Sequence, residues 1–264
     1  MDLQLKDKTA LVTGSTTGIG FAAASLFARE GASVVINGRS KQRVDEAVDR
    51  ILKENGDVRI RGVAADLGSR DGFDLLAGRV PEVDILVNNL GIYEAKPFAE
   101  IDDEDWLRIF EVNVLSGVRL SRLYLPKMLE KNWGRVVFIS SESALQIPAE
   151  MIHYGVTKTA QIALARGLAE MTAGTNVTVN SVLPGPTRSE GVERFIQEVA
   201  ESRKMDPGTV EEEFFRLVRP TSLLKRFATT EEVASLVVYV CSPLASATNG
   251  AALRVDGGVV RAIV

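Results

Sequence analysis

Short apolar runs rich in Val and Ile recur along the chain, and each is followed by a stretch with helical spacing. Thr9–Thr13, Ser33–Asn37, Arg59–Ala64, Asp84–Asn88, Arg135–Ser140, Asn176–Val182 and Ala251–Val255 read as strands. Helices are predicted over Gly18–Arg29, Lys41–Glu54, Ser69–Arg79, Asp105–Lys131, Ile152–Ala173 and Glu231–Val240. The strand segments are near-continuous in apolar residues and do not alternate. Strands of that kind are covered on both faces, which means a parallel sheet between two layers of helices. Strand–helix–strand units close through right-handed crossovers. The expectation is α/β: one doubly wound, seven-stranded parallel sheet with helices on both faces.

Two places depart from that regularity. Pro126 lies inside Asp105–Lys131 and predicts a bend or break there. Residues 188–220 are polar, partly helical and long for a connection, with a turn signal at Asp206-Pro207-Gly208. Following a strand's carboxyl end, this segment reads as a substrate lid, the alternative being a solvated pair of surface helices. Its Phe195, Phe214, Phe215 and Leu217 could cover a bulky substrate or pack the segment on itself.

Composition narrows the function. With 264 residues, 45% of them hydrophobic, the chain can build one sizeable core, and no linker or repeat divides it. No apolar run approaches the ~18 residues of a membrane span, and the first residues lack a signal-peptide core. A cytoplasmic location without membrane contact is expected. The net charge of −4, with no block of Lys or Arg, disfavours nucleic acid as a partner. One cysteine, Cys241, and one histidine, His153, are too few for a Cys/His zinc site, so no metal is expected. His153 adjoins Tyr154 but points about 100° away around a helix. It reads as a packing or subunit-contact residue, the alternative being a part in catalysis.

The first strand runs into Thr13-Gly14-Ser15-Thr16-Thr17-Gly18-Ile19-Gly20, and a helix follows. Glycines allow a tight turn and close approach of a ligand. The helix amino terminus offers free N–H groups and a positive dipole end to a pyrophosphate. The second strand ends in Asn37-Gly38-Arg39-Ser40, without a carboxylate. An acidic residue there would accept hydrogen bonds from a ribose 2′-hydroxyl. Arg39 and Ser40 instead suit a 2′-phosphate, which favours NADP(H) and leaves NAD(H) possible. The alternative for Arg39 is the solvated start of a helix.

Tyr154 and Lys158 are four residues apart on a predicted helix, so they share a face. Ser141 precedes Tyr154 by 13 residues, at the end of an apolar run. A phenol titrates near 10, and lowering it by about 3 units takes roughly 4 kcal/mol. An ammonium about 4 Å away supplies that much at a moderate dielectric. The trio can therefore form an acid–base catalyst with a serine hydroxyl to polarise a carbonyl. Glu142, next to Ser141, reads equally as a hydrogen-bonding partner of a hydroxylated substrate or as a solvent-facing residue. Tyr93, Glu94, Ser143 and Met151 are further candidates for the pocket wall.

Taken together, these ordered motifs resemble the short-chain dehydrogenase/reductase family, in its compact form and near its 3-oxoacyl reductase-like members. The resemblance runs from Lys8 to Gly258. The glycine segment matches T-G-x-x-x-G-I-G, Asn88-Asn89-Leu90-Gly91 is similar to N-N-A-G with Leu90 for alanine, and Asp256-Gly257-Gly258 matches a closing D-G-G. The resemblance implies one NAD(P)-binding Rossmann domain over residues 1–264. It implies catalytic roles for Asn113, Ser141, Tyr154 and Lys158, with Asn113 holding a water that links Lys158 to solvent. Implied cofactor contacts are Gly14 through Gly20, Arg39, Ser40, Asp66, Leu67, Asn89, Gly91, Tyr154, Lys158, Pro184, Gly185, Thr187 and Ser189. The substrate would be a small carbonyl or secondary alcohol, and the assembly a homodimer or homotetramer. The apolar tail from Val259 to Val264 would be covered at an interface.

Individual residues keep other readings: Asp66 as a helix cap, Asn88 and Asn89 as turn formers, Asn113 as a solvated helix residue. Ser140 reads as the structural member of its serine pair. Two other classes stay open. A non-catalytic dinucleotide sensor on the same fold needs no intact trio. A nucleotide-dependent methyltransferase shares the glycine turn but has no use for Tyr154 and Lys158.

Overall fold

Seven parallel strands form one sheet in the computed structural model, which describes residues 1–263. They are β1 (Thr9–Val12), β2 (Ser33–Gly38), β3 (Ile60–Ala64), β4 (Ile85–Asn88), β5 (Gly134–Ile139), β6 (Val177–Pro184) and a last strand, Ala252–Val255. Every residue of β4, β5 and β6 is buried, as the unbroken apolar runs require. Helices α1 (Gly18–Arg29) and α2 (Lys41–Asn55) cover one face, and α3 (Arg70–Arg79) the other. Two later helices, α4 (Asp103–Phe110) and α5 (Ser116–Glu130), precede β5, and α6 (Ile152–Glu170) follows it. The helix Thr230–Val240 packs on α1 and completes the first layer, while α5 and α6 complete the second. The strand order is β3-β2-β1-β4-β5-β6, then Ala252–Val255. The chain reverses its direction of travel between β1 and β4, and ligand sites form at the strands' carboxyl ends beside such a reversal.

The predicted break in Asp105–Lys131 moves. The helix α5 continues through Pro126 to Glu130, with Leu125 and Met128 buried on either side of it. One missing N–H leaves the rest of that ladder intact. The interruption falls instead at Glu111–Leu115, a wide π-helical turn between α4 and α5. Widened turns of this kind free backbone carbonyls for other partners.

Residues 187–229 form a separate layer. A two-strand parallel ladder pairs β7 (Thr187–Arg188) with β8 (Ala228–Thr229) at its base. Between them lie α7 (Glu190–Arg203), α8 (Pro207–Glu213) and a second wide turn, Phe214–Val218. Ile196, Ala200, Val210, Phe215 and Phe227 make a small core of their own. The rings of Phe214, Phe215 and Phe227 lie 5.0–5.1 Å apart. Part of the segment's apolar surface is thus packed on itself, while Phe195, Leu217 and Val218 are exposed. The helix Thr230–Val240, α9, starts with a reciprocal cap between Thr229 and Glu232. The last sheet strand is β9 (Ala252–Val255). In the tail Val259 is buried and Ile263 is 95% exposed, while Val264 lies outside the described residues. Among the described residues no helix is long and apolar enough to cross a membrane.

Candidate active site

The turn between β1 and α1 is shaped by its glycines. Gly14 and Gly18 have φ of +57° and +60°, values that L side chains resist. A Cβ on Gly20 would stand 2.5 Å from Asn89 Nδ2 and 2.7 Å from the Gly14 carbonyl oxygen. Thr17, the N-cap of α1, makes no side-chain cap bond, so first-turn N–H groups remain available. Ser15 is buried and holds the turn to β2, donating to Val12 O at 2.6 Å and accepting from Asn37 N at 3.0 Å. Thr16 and Ile19 are half-buried beside it. From behind, Asn89 Nδ2 donates to the carbonyl oxygens of Thr13 and Gly14, both at 2.9 Å.

At the end of β2, Arg39 is exposed, with no ion-pair partner among the described residues. Ser40 caps α2 by accepting from Arg43 N at 3.4 Å. Asp66 is exposed and accepts from Gly68 N at 3.1 Å, while Leu67 packs into the core. The cap of α3 is Ser69 rather than Asp66. At the end of β6, Gly185 is crowded by Asp256, whose carbonyl oxygen would lie 2.5 Å from a Cβ. Thr187 Oγ1 donates to Gly185 O at 2.9 Å, and Ser189 caps α7. Residues 187–229 start against the glycine turn, since a Cβ on Gly18 would stand 3.8 Å from Ser189 Cβ. Free N–H groups, open glycines and an unpaired Arg39 make a cradle that fits a dinucleotide phosphate chain.

The acid–base residues gather at the carboxyl end of β5. Ser140 Oγ donates to Lys158 O at 2.8 Å and serves the scaffold, which leaves Ser141 for the site. Tyr154 and Lys158 share a face of α6, and Lys158 Nζ lies 5.5 Å from the centre of the phenol ring. Tyr93 meets the same ring edge-on at 6.2 Å. Lys158 Nζ donates to Ile139 O at 2.9 Å and Gln161 Oε1 at 3.2 Å. Burial alone pulls this amine from its ordinary 10.5 down to about 7. Burial also pushes the Tyr154 phenol above its ordinary 10. The Ser141 hydroxyl works against that rise, Glu142 and Tyr93 add to it, and Arg219 opposes it. The lowered phenol expected from the Tyr–Lys spacing is therefore corrected. Desolvation dominates, and the Lys158 amine, itself brought down to about 7, is not among the groups that lower the phenol.

Asn113 sits in the wide turn Glu111–Leu115 and is buried. Its Oδ1 accepts from Ile92 N at 2.8 Å, and its Nδ2 donates to Ile92 O at 2.9 Å and Thr157 Oγ1 at 3.0 Å. Its backbone carbonyl accepts from Gln161 Nε2 at 2.6 Å. A Cβ on Gly91 would lie 3.3 Å from Lys158 Nζ and 3.5 Å from Asn113 Oδ1, so Gly91 completes the cluster.

Glu142 does not face solvent. Its Oε2 accepts from Ser141 Oγ at 2.6 Å and from Ser143 N at 2.7 Å. Its Oε1 pairs with Arg219 Nε at 2.9 Å, with both side chains nearly sealed. Arg219 also lines a groove of about 360 Å³ with Gln146, Pro148, Glu150 and Leu217. His153 is buried edge-on to Trp106, at 5.9 Å between centroids, as a packing residue. Among the described residues no group of three or more metal-ligand types exists. Gln161 and Arg219 escape the sequence reading. Gln161 had a signal, a polar residue on the α6 stripe that continues into buried Ala165 and Ala169. Arg219 had none, being 77 residues from Glu142.

Residues 8–200 match the family model described as short chain dehydrogenase. The uncharacterized oxidoreductase YvrD of Bacillus subtilis is 50% identical, with all of both chains covered. The 3-oxoacyl-[acyl-carrier-protein] reductase FabG of Aquifex aeolicus is 34% identical over 98% of this chain and all of its own. Among solved structures, L-sorbose reductase from Gluconobacter frateurii, complexed with NADPH and L-sorbose, is 32% identical, covers both chains fully and superimposes with a TM-score of 0.94.

Proposed function

The chain belongs to the short-chain dehydrogenase family, and we propose that within it this oxidoreductase moves hydride between NADP(H) and a carbonyl or secondary-alcohol carbon. The observation that carries the reading is the convergence of Ser141, Tyr154 and Lys158 beside the glycine turn. The nicotinamide, when bound, gives or takes the hydride. Tyr154 holds the proton that the substrate oxygen receives in reduction and returns in oxidation. Ser141 donates its single O–H to Glu142 in the structure and hydrogen-bonds a substrate oxygen by turning that O–H to it. Lys158 keeps an N–H group turned to the Gly91 side, where a nicotinamide ribose would be held. Asn113 fixes the Ile92 backbone that forms the wall of this space. The first turn of α1, with Thr16, Thr17 and Ser189 around it, suits the pyrophosphate. Arg39 and Ser40 suit a 2′-phosphate, which supports NADP(H) over NAD(H).

A panel of ketones with NADPH, and of alcohols with NADP⁺, tests the reading. Tyr154→Phe is expected to lower turnover by roughly 10²-fold or more, the span of general acid–base catalysis, with NADPH affinity unchanged. Wild-type turnover in that variant, or silence of the wild type across the panel, removes the proposal and favours a dinucleotide sensor.

A further inference from the structure

The side chain of Gln161 lies inside the site without belonging to the Ser–Tyr–Lys set. It is 1% exposed and one helical turn beyond Lys158. Its two ends face two different groups. Nε2 donates to the Asn113 carbonyl at 2.6 Å, and Oε1 accepts from Lys158 Nζ at 3.2 Å. A primary amide can give a hydrogen bond to a carbonyl from one end and take one from an ammonium at the other. A carboxylate would repel the carbonyl, and an apolar side chain would strand both groups.

The bridge joins three segments. Asn113 grips the Ile92 backbone through both of its amide atoms, so the loop after β4, the wide turn before α5 and the face of α6 meet at Gln161. The wide turn explains why a carbonyl inside a helix is free to accept. Lys158 has three N–H groups. Ile139 O and Gln161 Oε1 take two of them, and Gly91, where a Cβ would stand 3.3 Å from Nζ, puts no side chain against the amine.

We propose that Gln161 is a positioning residue whose amide, anchored on the Asn113 carbonyl, holds the Lys158 amine beside the Tyr154 ring without fixing its charge. The inference rests on the reading of Tyr154 and Lys158 as the acid–base pair. The groups facing the amine are few. Tyr154 lies on its own helix. Around the phenol stand Glu142 from the turn after β5, Tyr93 from the loop after β4 and Arg219 from residues 187–229. None of these contributes to the shift of Lys158, which burial alone sets. A neutral acceptor therefore leaves the amine able to change charge near neutrality, where a carboxylate would lock it positive.

Two variants decide the matter. Gln161→Glu adds a negative charge beside Nζ and is expected to raise the Lys158 titration by one unit or more. Gln161→Leu removes an acceptor and is expected to lower it. Both are read by ¹⁵N-lysine NMR on the protein alone, with thermal unfolding confirming that each variant folds. The kcat of Gln161→Leu is expected to fall roughly 10- to 100-fold with KM for the carbonyl within about twofold, the effect of a misplaced catalytic group. The high-pH limb of kcat is expected to move upward in Gln161→Glu. An unmoved titration in Gln161→Glu overturns the proposal, as does wild-type kcat in a folded Gln161→Leu. If Tyr154→Phe is inactive while both Gln161 variants match the wild type, the bridge is only structural and the acid–base reading stands. If the wild type reduces no carbonyl, the NMR titration alone decides the bridge.

Discussion

Two buried charges flank Tyr154 and are kept in opposite ways. Lys158 is surrounded by neutral oxygens, from Ile139 and Gln161, and burial drags its titration to about 7. Glu142 has a full counter-ion, Arg219, and three further hydrogen bonds from Ser141 and Ser143. The first arrangement makes a charge that can be switched. The second makes a charge that is paired. A site that moves a proton is served by the former at the amine.

Breaking the ionic side has the largest expected effect. Arg219→Met leaves Glu142 sealed without its partner, and destabilisation of about 3–5 kcal/mol is expected in a denaturant titration. The double variant Glu142→Gln with Arg219→Met is expected to recover most of that loss, because no uncompensated charge remains. Equal stability of Arg219→Met and the wild type would sink the contrast.

Arg39 sharpens the comparison from outside, as a cation that is exposed and has no partner among the described residues. Arg39→Ala is expected to leave stability unchanged and to weaken NADPH binding about tenfold, equivalent to ~1.4 kcal/mol, without weakening NADH. Parallel fluorescence titrations with both nucleotides measure this.

Removal of the switchable charge is expected to have only a small effect on stability. Lys158→Met strands two acceptors but also ends the cost of burying an amine, so a net change of about 1 kcal/mol or less is expected. Its pH dependence carries a sign. The amine titrates lower in the fold than in the unfolded chain, so the unfolded chain binds more protons between about 7 and 10.5. Wild-type stability relative to Lys158→Met is therefore constant below about pH 7 and rises above it. A relative stability that falls over that range would reverse the assignment.

The neutral half of the site was largely written in local sequence. The turn Gly14–Gly20, the end of β2 and the Tyr154–Lys158 spacing each lie within one element, where the backbone period fixes which side chains meet. The seven strands were legible for the same reason, as unbroken apolar runs. What escaped depends on contacts across the fold. The ion pair of Glu142 and Arg219 joins residues 77 positions apart, and Gln161 reaches Asn113 across 48. The interruption at Glu111–Leu115 carries no proline. It is accompanied by an outside donor to the Asn113 carbonyl, whereas the proline at 126 removes one bond and changes little. The phenol's upward shift was missed because spacing gives direction and not desolvation.

The ladder between β7 and β8 has a consequence for engineering. It pins both ends of residues 189–227 side by side, and the enclosed segment packs around its own aromatic cluster. The entropy of closing that loop grows only slowly with its length. The segment is thus closed at its base, and a replacement between the two short strands has to keep Ser189, Arg219 and the ties of Thr221, Leu223 and Leu224 to Val259 and Gly257.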